Sequence, residues 1–109
     1  MSTLLSKRCE PCEKGTQPLR GLELATLAAE VPQWRVVDDH HLTREFRFPD
    51  FVSALQFVNR AGDLAEQEQH HPDIFLTWGK VRFEIWTHSV GGLSENDFIL
   101  AAKIDALAM

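Results

Sequence analysis

Residues 73–88 read DIFLTWGKVRFEIWTH, and in their second half Val81, Phe83, Ile85 and Thr87 alternate with Arg82, Glu84, Trp86 and His88. Successive side chains of a strand point to opposite sides of a sheet, so this period of two specifies a strand with one covered face and one partly wet face. The run turns near Gly79 and reads as a hairpin. A second pair of strands is expected in QWRVVDD and HLTREFRFP, around an Asp-rich turn, with Leu42, Phe46 and Phe48 facing one way and Thr43, Glu45 and Arg47 the other.

Helical spacing fills the intervals. Leu24, Leu27, Ala28 and Val31 fall at i, i+3, i+4 and i+7, and Pro32 ends that helix. The longest helical stretch, PDFVSALQFVNRAGDLAEQEQ, has Asp50 as N-cap and an expected apolar stripe of Phe51, Ala54, Leu55, Val58, Gly62 and Ala65. After the Gly91-Gly92 break, SENDFILAAKIDALAM begins with a capping-box pattern, Ser94 with Asp97, and presents Leu100, Ala101, Ile104, Leu107 and Ala108 as its buried face. The order α-β-β-α-β-β-α gives an α+β fold, a four-stranded antiparallel sheet with three helices packed on one face.

At 109 residues the chain is one domain. Residues 1–17 read as a flexible leader and 18–109 as the folded domain. The leader carries Cys9-x-x-Cys12, which has no second cysteine pair to complete a zinc site and no strand-to-helix context for redox chemistry. His40 and His41 are conceivable further ligands, but nothing in the sequence positions them, and the pair is given no chemistry. A net charge of −5 offers no basic stripe for nucleic acid. No apolar run approaches the ~20 residues that span a bilayer, and the N-terminus lacks the apolar core of a secretory signal, so a cytoplasmic protein is expected. A small core and an edge strand make self-association an expectation as well.

The candidate site is EQEQHHP, residues 66–72. Pro72 disfavours the helical conformation at His71, so the long helix should end near His70, where the helix dipole favours a cation. Glu66, four residues back on the same face, is the expected partner of His70. His88 ends the last strand, which returns to where the hairpin began, and so should approach His70 and His71. Such a cluster suits proton donation and acceptance near neutral pH. Three histidines and a carboxylate could also hold zinc or iron, although adjacent residues rarely chelate one ion. A plainer reading makes HHP a helix stop and His88 a solvated strand end. Nucleophile-elbow and dinucleotide-binding patterns are absent.

The spacing Glu66, three residues, His70-His71-Pro72, five residues, Trp78, nine residues, His88, eight residues, Asp97 resembles the signature of the pterin-4a-carbinolamine dehydratases. FPDFVSALQFV and THSVGGLSENDFILAAKID are similar to that family too, and the likeness covers roughly residues 18–107. The resemblance implies loss of water from a 4a-hydroxytetrahydropterin to give quinonoid dihydropterin, with no metal or organic cofactor. It implies catalytic roles for His70, His71 and His88, with His70 and His88 as the proton-transfer pair and His71 chiefly holding the pterin. Glu66 and Thr87 would contact or orient the substrate. Trp78 and Asp97 match signature positions and are expected to be structural. Gln69 and Trp86 depart from the family's pattern, which has an acid and a small polar residue there. The implied partners are the pterin, further copies of the chain as dimer or tetramer, and phenylalanine hydroxylase through pterin recycling. A non-catalytic dimerisation or regulatory role on the same fold is the alternative.

Overall fold

The computed structural model describes residues 4–12 and 15–108. The expected leader positions 1–3 and 13–14, and the last residue of the expected final helix, lie outside the described residues. The elements run α1 Gly21–Ala28, β1 Arg35–Val37, β2 His41–Arg47, α2 Phe51–Glu68, β3 Asp73–Thr77, β4 Lys80–Ile85 and α3 Glu95–Leu107, with short 3-10 turns at Leu4–Ser6 and His88–Val90. The α+β order and the four-stranded antiparallel sheet match the expectation.

Both hairpins are set by local chemistry. Asp38 and Asp39 each adopt φ 53°, and the His40 N–H bonds the Val37 carbonyl at 2.8 Å. Two successive left-handed residues give the twist that joins antiparallel strands tightly, and Asp tolerates that region. In the second hairpin Thr77 pairs with Lys80 across Trp78-Gly79. A Cβ on Gly79 would stand 2.9 Å from the Phe48 carbonyl oxygen, so the close approach of β2's end requires glycine there.

The sheet order is β1-β2-β4-β3, so β4 is central and β3 lies at an edge. Register aligns Leu42 with Ile85, Arg44 with Phe83 and Phe46 with Val81, and places Ile74 beside Phe83 and Leu76 beside Val81. These residues share the helix-covered face. On the open face Glu45 lies opposite Arg82, and Arg82 reaches Glu84 while its guanidinium sits 4.0 Å over the Phe75 ring. Opposite charges directly across a ladder support the pairing where water wets the sheet.

Phe83 is the centre of the core. Its ring meets Phe46 at 5.7 Å, Phe57 at 5.9 Å and Trp34 at 6.2 Å, separations suited to edge and tilted contacts. Phe57 enters this cluster because α2 buries Ala54, Phe57, Ala61, Ala65 and Glu68. The expected stripe is therefore corrected: Phe51 and Leu55 are exposed, and only Ala54 and Ala65 are common to both sets. Small alanines bring the helix axis close to the sheet, and the larger Phe51 and Leu55 are left on its outer flank. α3 is buried more fully than expected, with Asp97 to Ala102 and Ile104 all covered, while Leu107 is half-buried and Ala108 exposed. Among the described residues no helix is long and apolar enough to cross a membrane.

Asp105 on α3 ties the helix layer to the sheet. Its Oδ1 accepts from Trp34 Nε1 at 2.8 Å and from Arg44 Nη1 at 2.6 Å. Trp34 is 5% exposed, so its N–H has no ready alternative in water. Asp105→Ala is therefore expected to cost about 2 kcal/mol of stability, read as a lower urea midpoint with unchanged slope. A loss below about 0.5 kcal/mol would show that water replaces the carboxylate.

Candidate active site

The helix end that carries the histidines is built by Gln69. This residue takes the left-handed conformation, φ 54°, and the chain closes there with Gln69 N–H to the Glu66 carbonyl at 3.3 Å and His70 N–H to the Ala65 carbonyl at 3.2 Å. That is the paired bonding of a Schellman stop, usually made with glycine. The Gln69 amide, Nε2 to the Glu66 carbonyl at 2.6 Å, offers a local bond that favours the turn.

The reversal changes the expected partnership. His70 does not face Glu66. Its Nε2 lies 2.6 Å from Asp97 Oδ1, and Glu66 Oε1 instead meets His71 Nε2 at 2.8 Å. An i, i+4 pair needs continuous helix, and the left-handed residue between the two swings His70 toward α3. The second pair is largely exposed, whereas His70 is mostly covered and Asp97 wholly so.

Asp97 is the best-connected side chain of the site. It forms the capping box with Ser94 at the start of α3, Oδ2 accepting the Ser94 N–H at 2.8 Å. The same oxygen accepts the Thr87 hydroxyl at 2.9 Å, and Ser94 Oγ lies 2.7 Å from Thr87 Oγ1. An ionised carboxylate only accepts, so His70 Nε2 is the donor and, in the neutral ring, Nδ1 is left with the lone pair. Thr87 spends its hydroxyl on Asp97 and Ser94, although the residue borders the cleft. Among the described residues no buried side-chain nitrogen or oxygen lacks a partner.

His88 begins the 3-10 turn that follows β4 and is exposed. Its ring is stacked on Trp86 with centroids 3.9 Å apart and planes 21° from parallel. Trp86 also packs on His40 at 4.3 Å, and His40 Nδ1 is 3.1 Å from His41 Nδ1. Trp86 therefore gives the His88 ring a flat support.

A cleft of about 410 Å³ is lined by His70, His71, Thr87, His88, Trp86 and Gln69, and also by Glu68, Asn96 and residues 9–12. Glu66 is reached through His71 rather than along the wall. Sequence reasoning missed Glu68, Asn96 and the Cys9–Cys12 segment. Glu68 had a signal: it continues the buried spacing of Ala61 and Ala65 as a charged residue on an apolar face. Its carboxylate accepts from Cys9 N–H at 2.8 Å and Lys103 Nζ at 2.8 Å, with Arg8 Nε at 3.4 Å. Among the described residues no group of three or more His, Cys, Asp or Glu stands close enough to hold a metal ion.

Burial raises the Glu68 carboxyl, but the bonds from Lys103 and the Cys9 N–H, with the charges of Lys103 and Arg8, together outweigh it and hold the group below its ordinary range. The group is 6% exposed yet close beneath the surface, under two long basic side chains. Burial, then the Glu68 charge, pushes the Cys9 thiol up to about 12. A carboxyl depressed on folding contributes stability above its unfolded pKa and loses it as pH falls through the folded value. Wild type should therefore be more stable than Glu68→Gln at neutral pH, and the gap should close between about pH 5 and about pH 2. Urea titrations across that range check this; a gap independent of pH would contradict it.

Comparison with known proteins places these features in a family. The family model described as Pterin 4 alpha carbinolamine dehydratase matches residues 17–107. A protein of Rubrobacter xylanophilus named "Putative pterin-4-alpha-carbinolamine dehydratase" is 53% identical over 107 residues, 98% of this chain and 100% of its own length. One of the same name from Alkaliphilus metalliredigens is 48% identical, covering 96% of each chain. Among solved structures, a transcriptional coactivator/pterin dehydratase from Brucella melitensis superposes with a TM-score of 0.80 at 33% identity, covering 85% of this chain and 100% of that one. A pterin dehydratase-like protein identified as a RuBisCO assembly factor in the alpha-carboxysome shares the fold, with a TM-score of 0.60 at 24% identity over 70% of this chain and 89% of that one.

Proposed function

The chain belongs to the pterin 4 alpha carbinolamine dehydratase family, and from that premise we propose that it removes water from a 4a-hydroxytetrahydropterin by histidine acid–base catalysis, giving quinonoid dihydropterin. The observation that carries this reading is His70, held through Nε2 by a fully buried Asp97 in a cleft it shares with His71 and His88.

The elimination needs one proton delivered and one removed. The C4a–O bond breaks with its electrons going to oxygen, which takes a proton and leaves as water. The N5–H bond gives up its proton, and its electrons form the N5=C4a double bond. His70, with Nδ1 unprotonated and Asp97 behind Nε2, is the base, and the buried carboxylate stabilises the imidazolium that forms. This is the carboxylate–imidazole logic of hydrolytic triads applied to a different proton. His88, exposed and supported flat on Trp86, gives the proton to the departing oxygen. His71, paired with Glu66, holds the pterin. Thr87 acts on the substrate through Asp97. Proton exchange with water resets both rings, and the chemistry calls for no electron transfer.

The product is the form of the pterin that a reductase returns to a phenylalanine hydroxylase, so we place the protein in the cytoplasm beside that hydroxylation. Self-association into a dimer or tetramer is supported by the open edge strand β3 and by exposed Phe75 and Trp78 near it. The non-catalytic partner role draws on that same surface.

Stopped-flow decay of enzymatically generated 4a-hydroxytetrahydropterin, in chelator-containing buffer, tests the reading. Wild type should accelerate the decay, and His70→Ala and His88→Ala should each lower kcat at least about tenfold, with circular dichroism unchanged. Full activity in both variants would remove the acid–base assignment. No acceleration by wild type would favour the partner role.

A further inference from the structure

The cleft has a wall that the histidines do not explain. Cys9, Glu10, Pro11 and Cys12 line it, although nearly the whole length of the chain separates them from α3. Two side chains clamp the segment. Asn96 bonds the main chain of Glu10 on both sides, Glu10 N–H to Oδ1 at 3.0 Å and Nδ2 to the Glu10 carbonyl at 2.5 Å. Glu68 takes the Cys9 N–H, and the Cys9 thiol donates to the Asn96 carbonyl at 3.4 Å.

The positions of the clamps matter. Glu68 is the last residue of α2, two before His70, and Asn96 immediately precedes Asp97. The segment is thus fastened to the same two helix ends that hold the His70–Asp97 pair. It is also anchored on both flanks. Upstream, Leu4 is 1% exposed and Lys7 pairs with Glu95 at 3.0 Å; downstream, the Leu19 N–H bonds the Leu93 carbonyl at 2.8 Å. Pro11 restricts the backbone between the two cysteines. An asparagine in the first turn of a helix has water available to it. Spending both halves of its amide on one distant segment, Glu10 and, through Nδ2 at 3.9 Å, the Cys12 sulfur, costs ordering entropy, and the result is a fixed wall.

We propose that residues 9–12 form a strap that completes the substrate pocket, with Asn96 as the positioning residue that sets it. This rests on the dehydratase reading, and it assigns the CxxC segment a binding role, with Cys12 lying within the footprint of the bound pterin. A flat bicyclic ligand gains affinity by being covered on more than one side. The strap contributes that cover equally to ground and transition states, so it acts on KM rather than on kcat.

Two measurements test this. Asn96→Ala should raise KM for 4a-hydroxytetrahydropterin about tenfold and leave kcat within about twofold of wild type, the pattern of lost uniform binding. In the wild-type protein, which needs no substitution to be tested, saturating 7,8-dihydrobiopterin should slow iodoacetamide alkylation of Cys12 at least about fivefold, whereas Cys9, whose thiol stays protonated, remains unlabelled in either case. Labelling of Cys12 at the same rate with and without the pterin overturns the strap, as does an unchanged KM or a fall in kcat alone. If wild type neither binds dihydrobiopterin nor accelerates dehydration, the dehydratase reading falls and the strap's ligand with it. An active wild type with unprotected Cys12 overturns the strap alone.

Discussion

A carboxyl group with no exposure to water needs hydrogen-bond partners on its oxygens, and Asp97 obtains three from three parts of the chain. The Ser94 N–H comes from its own helix start, the Thr87 hydroxyl from the end of the β4 segment, and the His70 ring from the stop of α2. Removing any of these leaves an oxygen under-satisfied in the interior, so the three elements are fixed relative to one another by one group. Ordering His70 is then a by-product of capping α3. The fold and the proposed chemistry share that requirement.

The histidines of the site differ in how they are covered and held. His70 is mostly covered and bonded to a buried acid; His88 is exposed and stacked on Trp86; His71 is exposed beside an exposed carboxylate. A base that must present one nitrogen benefits from a locked tautomer. A proton donor that exchanges with solvent benefits from access to it. The Trp86–His40–His41 series extends the support for His88 across the sheet. Trp86 is thus a prop for His88 in this chain.

Much of the fold was legible because its signals are local. Alternation over residues 81–85 identifies β4, although the strand ends at Ile85 and the expected strand end at His88 is a 3-10 turn; Asp38-Asp39 identifies the first turn, and Asp50 and Ser94 mark helix starts through bonds within three residues of themselves. The face of α2 was misread because Phe51 and Leu55 fit a helical period as well as Phe57 does. The decision between them lies in which residue the sheet has room for. The same holds for the partners of the histidines. Glu66 was assigned to His70 by continuing the helix two residues past Glu68, whereas a left-handed Gln69 redirects both rings. Asp97 was legible as a cap. Its bond to His70 spans 27 positions, and the clamps on the leader span 59 and 86, so no periodicity carries them.

The account stands on Asp97 holding His70 as the Nε2–H tautomer with Nδ1 free. Long-range nitrogen–proton correlation spectra of the uniformly nitrogen-labelled protein, taken where the histidines are neutral, report this directly. The account predicts that His70 shows a protonated Nε2 and an unprotonated Nδ1, with a downfield Nε2 proton that exchanges slowly. A protonated Nδ1, or two nitrogens averaged as in a free imidazole, would contradict it.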